Sequence, residues 1–86
     1  MTEIEMKLAL LRYNKLSKER AEAAYMWGHA GESGYHESIW MQCRESMKQL
    51  EKSVAKQGYM FKEGPYKVEG KVQHRTYTLV PVDSSN

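Results

Sequence analysis

At 86 residues with a single cysteine, the chain has room for one small domain and cannot close an internal disulfide. Thirteen Lys and Arg against 11 Asp and Glu leave a formal charge of +2, spread along the chain, where a dedicated nucleic-acid binder is usually more basic or carries its cations in a cluster. Hydrophobic content of 41% and charged content of 28% belong to a folded chain and argue against wholesale disorder.

The start, Met1-Thr2-Glu3-Ile4-Glu5, is acidic where a secretion signal is basic, and the aliphatic run Leu8 to Leu11 is too short for a signal core or a membrane span. A cytoplasmic protein is expected, and one unpaired cysteine agrees with a reducing compartment. Residues 3–27 read as helix, rich in Glu, Lys, Leu, Ala and Met. As one helix it carries a stripe of Met6, Ala9, Tyr13, Leu16, Arg20, Ala23 and Trp27 at heptad spacing, with Arg20 as the charged intruder. As two helices it breaks near Asn14, and Ser17 caps the second.

Residues 28–34, Gly28-His29-Ala30-Gly31-Glu32-Ser33-Gly34, read as a glycine-rich connector, since their spacing matches neither a dinucleotide loop nor a P-loop. From His36 to Gln57 one seam runs through Trp40, Cys43, Met47, Leu50 and Val54 at alternating steps of four and three, which predicts a helix over 35–57. Gly58 stands where a C-terminal cap glycine belongs.

Residues 59–82 change to strand chemistry. Tyr59-Met60-Phe61 is a short aromatic run, Glu63-Gly64-Pro65 reads as a turn, and Tyr66, Val68 and Val72 alternate loosely with charged residues. From His74 to Val80 the alternation is clean, with Arg75, Tyr77 and Leu79 on one face. Gly70 is the expected turn, Pro81 ends the ladder, and residues 83–86 form a polar tail expected to be disordered, outside a single domain spanning 1–82.

The expected fold is α+β: a long antiparallel helical hairpin followed by a two- or three-stranded antiparallel sheet. The two-helix reading of 3–27 gives an alternative. Leu50 through Gly58 to Tyr59, then Gly70, Arg75, Tyr77 and Leu79, resembles the recognition-helix-to-wing segment of winged-helix regulators over the last third of the chain. That resemblance implies a winged helix-turn-helix and a DNA-binding transcriptional regulator. Matched helices of ~35 Å each favour the hairpin, and Glu37, Glu45 and Glu51 interrupt the basic surface that a recognition helix would need. A two-helix hairpin would not cover the Trp40–Val54 seam on every side, so pairing of two copies into a four-helix arrangement is expected.

His29, His36, Cys43 and His74 are the soft metal ligands, and His36 and Cys43 lie ~10 Å apart along a helix, too far to share an ion. No metal or cofactor is expected. Cys43 on an apolar seam should hold its proton rather than act as a thiolate, no Asp precedes Asp83, and the glutamates alternate with lysines on helical faces, so an enzyme is not expected.

The suggestive excess is aromatic, including Trp27, Trp40, Tyr25, Tyr35, Tyr59, Phe61, Tyr66 and Tyr77, more than one small core holds and of the kind interfaces favour. The candidate contacts are Tyr66, Lys67, Lys71, His74 and Arg75 on the hairpin, and Trp27, His29 and Tyr35 around the glycine loop. Tyr77 shares the inward face with Leu79, which leaves Tyr66 as the exposed anchor. The expected function is that of a small non-enzymatic intracellular regulator, adaptor or inhibitor that binds a partner protein as a homodimer, away from membranes.

Overall fold

The computed structural model describes residues 1–30 and 33–82, with backbone alone at positions 29, 30 and 33. Two long helices are followed by a β-hairpin: α1 (Glu3–Ala30), α2 (Ser33–Lys56), β1 (Tyr59–Glu69) and β2 (Val72–Pro81). This is the α+β helical hairpin with a two-stranded antiparallel sheet.

The start of α1 is fixed by a reciprocal cap. The Thr2 N–H donates to Glu5 Oε1 at 2.8 Å and the Glu5 N–H donates to Thr2 Oγ1 at 3.1 Å, satisfying two donors that a helix start otherwise leaves open. Glu3 and Glu5 also place negative charge in the first turn, where the helix dipole favours it. From there α1 runs without a break through Asn14 and Ser17, so the three-helix alternative does not form. Its 28 residues span ~42 Å at 1.5 Å each, which sets the 44 Å length of the molecule.

Helix α2 ends as its sequence predicts, with Gly58 at φ +85°. The connector between the helices is much shorter than 28–34. Gly28, His29 and Ala30 continue α1, Ser33 and Gly34 already belong to α2, and Gly31 and Glu32 lie outside the described residues. The tail 83–86 also lies outside them.

The core lies where α1 meets α2 and the sheet. Tyr13, Ala23, Cys43, Met47 and Val54 are buried, and Trp40 and Leu50 are half-buried. Both expected stripes thus face inward except at Trp27, which is exposed, and Arg20 on the α1 stripe is half-buried. Met47 and Val54, at 2% and 1% exposure, are covered within the chain itself, while Trp40 and Leu50 keep part of their surface. Tyr13 joins three elements. Its ring stacks on Phe61 of β1 (centroids 3.8 Å, 4° between planes), meets Tyr77 of β2 edge-on at 4.8 Å, and its hydroxyl donates to Glu51 of α2.

The hairpin has one turn, at Gly70 (φ +65°), and Glu63-Gly64-Pro65 does not make a second. The register runs Tyr59↔Pro81 to Glu63↔Tyr77 and resumes at Tyr66↔Arg75, so Gly64 and Pro65 together face Thr76 as a β-bulge inside β1. Side chains of β2 hold the bulge in place. Arg75 Nη1 donates to the Gly64 carbonyl at 3.1 Å and Thr76 Oγ1 donates to the Pro65 carbonyl at 2.6 Å. A Cβ on Gly64 would stand 3.2 Å from Thr76 Oγ1, which suits the position to glycine.

Helix α1 also covers the outer edge of β2. The Val82 N–H donates to the Gly58 carbonyl, so even-numbered positions of β2 point their backbone groups at β1 and odd ones point them away. Two of those outward groups meet α1 side chains. Asn14 accepts from the Tyr77 N–H at 2.8 Å and donates to the Tyr77 carbonyl at 3.2 Å, and Ser17 Oγ donates to the Arg75 carbonyl at 2.7 Å. The residues that looked like a helix break and a cap are ties to the sheet.

Candidate functional site

Covering the β2 edge with α1 leaves a cleft of about 390 Å³ where the bulge faces the helices. Ser17 and Arg20 come from α1, Trp40 from α2, Glu63 and Tyr66 from β1, and His74 and Arg75 from β2. Three of the hairpin residues singled out in the sequence are therefore brought together: Tyr66, His74 and Arg75. Two residues from the helices complete the site, Arg20 and Trp40.

Tyr66 and Arg75 act as one unit. The guanidinium carbon lies 4.0 Å from the centre of the Tyr66 ring, Nη2 donates to the Tyr66 hydroxyl at 3.0 Å, and Nη1 holds the bulge carbonyl. Tyr66 remains 54% exposed, so it offers an aromatic surface already fixed in position. Arg75 is thus committed to orienting the Tyr66 ring.

His74 is 7% exposed and its Nδ1 has no hydrogen-bond partner among the described residues. Arg20 is half-buried, and no described carboxylate lies within ion-pair distance of it. Its five N–H donors in a fixed fork match a carboxylate or phosphate. With Arg75 against Glu63, the charged lining adds to two cations and one anion, a net charge of +1 before His74 is counted. Trp40 forms an aromatic wall, with Trp27 behind it at 6.2 Å and the Arg44 guanidinium 5.6 Å from its ring.

The remaining candidates stand apart from the cleft lining. Lys67 lies 3.7 Å from Glu69, and Lys18 of α1 reaches the same carboxylate at 2.8 Å. The hydrogen bond from Lys18 holds the Glu69 carboxyl below its ordinary range and the Lys18 ammonium above its own. Lys71 is exposed beside the Gly70 turn. Trp27 reaches the cleft only through Trp40, and Tyr35, 67% exposed, stacks edge-on with His36. His29 belongs to α1 by its backbone, and its side chain lies outside the described residues.

The Ser17 hydroxyl is committed to the Arg75 carbonyl. Burial pushes the Cys43 thiol up, and the nearby charge of Glu19 adds to the shift. Among the described residues, no group of three His, Cys, Asp or Glu side chains is placed to hold a metal ion, and no helix is long and apolar enough to cross a membrane.

Arg20 and Trp40 carried no distinguishing signal in the sequence beyond an arginine on an apolar stripe and an aromatic on a seam. No family model, curated protein or solved structure matches the chain, so its function is argued from this geometry.

Proposed function

We propose that the protein is a small non-enzymatic regulator or adaptor that binds a partner protein, with the cleft beside the hairpin as the contact. The observation that carries this reading is the pairing of a half-buried Arg20, which meets no carboxylate among the described residues, with a pre-positioned Tyr66 across one cleft. An arginine without a carboxylate partner favours an acidic group, and rigid aromatic anchors bind at low entropic cost. The ligand that fits is a peptide segment carrying Asp, Glu or a chain-terminal carboxylate next to an aromatic or aliphatic side chain. A buried, unpaired thiol at Cys43 agrees with a cytoplasmic setting.

The test is selection of a displayed random-peptide library on the protein, with Arg20→Ala as counter-target. Enrichment of acidic–aromatic sequences that lose binding to Arg20→Ala and to Tyr66→Ala, but keep it with Lys71→Ala, supports the assignment. No enrichment, or equal enrichment on Arg20→Ala, removes it. Strong salt-dependent retention on DNA would favour the DNA-binding alternative instead.

A further inference from the structure

The largest exposed aliphatic side chains of the helices lie together on the first half of α1. Ile4, Leu8 and Leu11 are 71%, 60% and 68% exposed. Their spacing of four and three places them on one stripe. Each stands nine residues, two and a half turns, before an inward-facing residue (4 to 13, 8 to 17, 11 to 20), so the stripe faces directly away from Tyr13, Ser17 and Arg20. The contact between Tyr13 and Glu51 fixes the helix alignment, and α2 ends at Lys56. The opening turns of α1 therefore run past the end of α2, and no described residue covers the stripe.

We infer that a second copy of this chain docks antiparallel on the Ile4–Leu8–Leu11 stripe, with Glu5 of each copy paired to Arg12 of the other. Glu5 and Arg12 are exposed, seven residues apart, and so lie on the same flank of the stripe. Two turns separate them within one helix, too far for an ion pair with each other. In an antiparallel pair the same flanks face each other, and a two-fold axis near Leu8 sets Glu5 against Arg12 twice. A parallel pair would bring opposite flanks together and set Arg12 near Lys7 of the other copy, a like-charge contact, so charge selects the antiparallel form. On the other flank Lys7 falls opposite Leu10 of the second copy, where no like charges meet. The Thr2–Glu5 cap keeps this stretch helical and leaves Glu5 Oε2 open to the second copy. Three aliphatic side chains per copy make a patch below the ~1,200 Å² of stable interfaces, so dissociation is expected at about 10–100 μM.

The pairing uses the side of α1 opposite the peptide cleft, so each can fail without the other. Sedimentation equilibrium up to about 500 μM should show a monomer–dimer equilibrium. Leu8→Glu should abolish it while leaving the far-ultraviolet dichroism and peptide binding unchanged. Glu5→Lys and Arg12→Glu proteins should each be monomeric alone and form a heterodimer when mixed, because mixing restores opposite charges at both contacts. A folded protein that stays monomeric at that concentration overturns the inference. So does a dimer that survives Leu8→Glu, or a mixture of the two charge variants that yields no heterodimer.

Discussion

Asn14 of α1 grips the backbone of Tyr77 with both ends of its amide, accepting from the N–H and donating to the carbonyl, as a neighbouring strand would. The sheet thus has a helix side chain where a third strand could stand. Asn14→Ala should leave the partly buried Tyr77 N–H without its partner and cost ~1–3 kcal/mol. In a chain of this size each kcal/mol lowers Tm by roughly 4–8 °C. Asn14→Asp keeps the acceptor and loses the donor, so it should fall between the two. Thermal melts of the three proteins check the order, and an Asn14→Ala melt equal to wild type would show that the tie is dispensable.

Tyr13 links stability to alkaline pH. Burial, reinforced by donation to Glu51, pushes its phenol far above the ordinary 10.0. The folded state therefore holds that proton more tightly than the unfolded state. The stability that goes with it is fully present below pH 10.0 and is lost as pH rises from there toward the folded value. The Cys43 thiol acts with the same sign from its ordinary 9.0 upward, so the measurement belongs in a Cys43→Ala background. Urea midpoints in that background should decline above pH 10, and Tyr13→Phe should flatten the decline. An unchanged slope would mean that other groups carry it.

Cys43 is expected to be chemically quiet. It is 5% exposed and its thiol is shifted away from ionisation. A thiol reagent should label it slowly in native buffer and rapidly in denaturant, and Cys43→Ala should keep peptide binding. Loss of binding in a Cys43→Ala protein with a native melt would give the thiol a role that packing does not.

Much of the scaffold was legible because its signals are local. The four-three seam of α2, the cap at Gly58, the turn at Gly70 and the alternation from His74 to Val80 each follow from spacing or backbone freedom within a few residues. What misled were residues whose partners lie far along the chain. Asn14 and Ser17 favour helix ends in isolation, but inside α1 their side chains find backbone groups 63 and 58 residues away. Gly64-Pro65 reads as a turn until Arg75 and Thr76 are seen holding its carbonyls from across the hairpin. The site divides in the same way. The aromatic and basic hairpin could be read directly, whereas Arg20 and Trp40 join it only when α1 lies against β2.

The grip of α1 on Tyr77 and Arg75 also decides which parts of the chain can change length. Sliding β2 by one residue would turn its outward carbonyls toward β1 and release both ties, so β2 serves as the fixed rail of the hairpin. Among the described residues no such tie is seen on the outer edge of β1, and its bulge already carries one surplus residue. A residue gained around Gly70 is taken up in the turn itself, because gliding β1 by one residue would turn Phe61 away from Tyr13 and pull the bulge from Arg75 and Thr76. A residue gained between Asn14 and Ser17 rotates one of them off the rail by 100°, with no slack to absorb it. The turn at Gly70 can therefore lengthen outward, while the middle of α1 must keep its count.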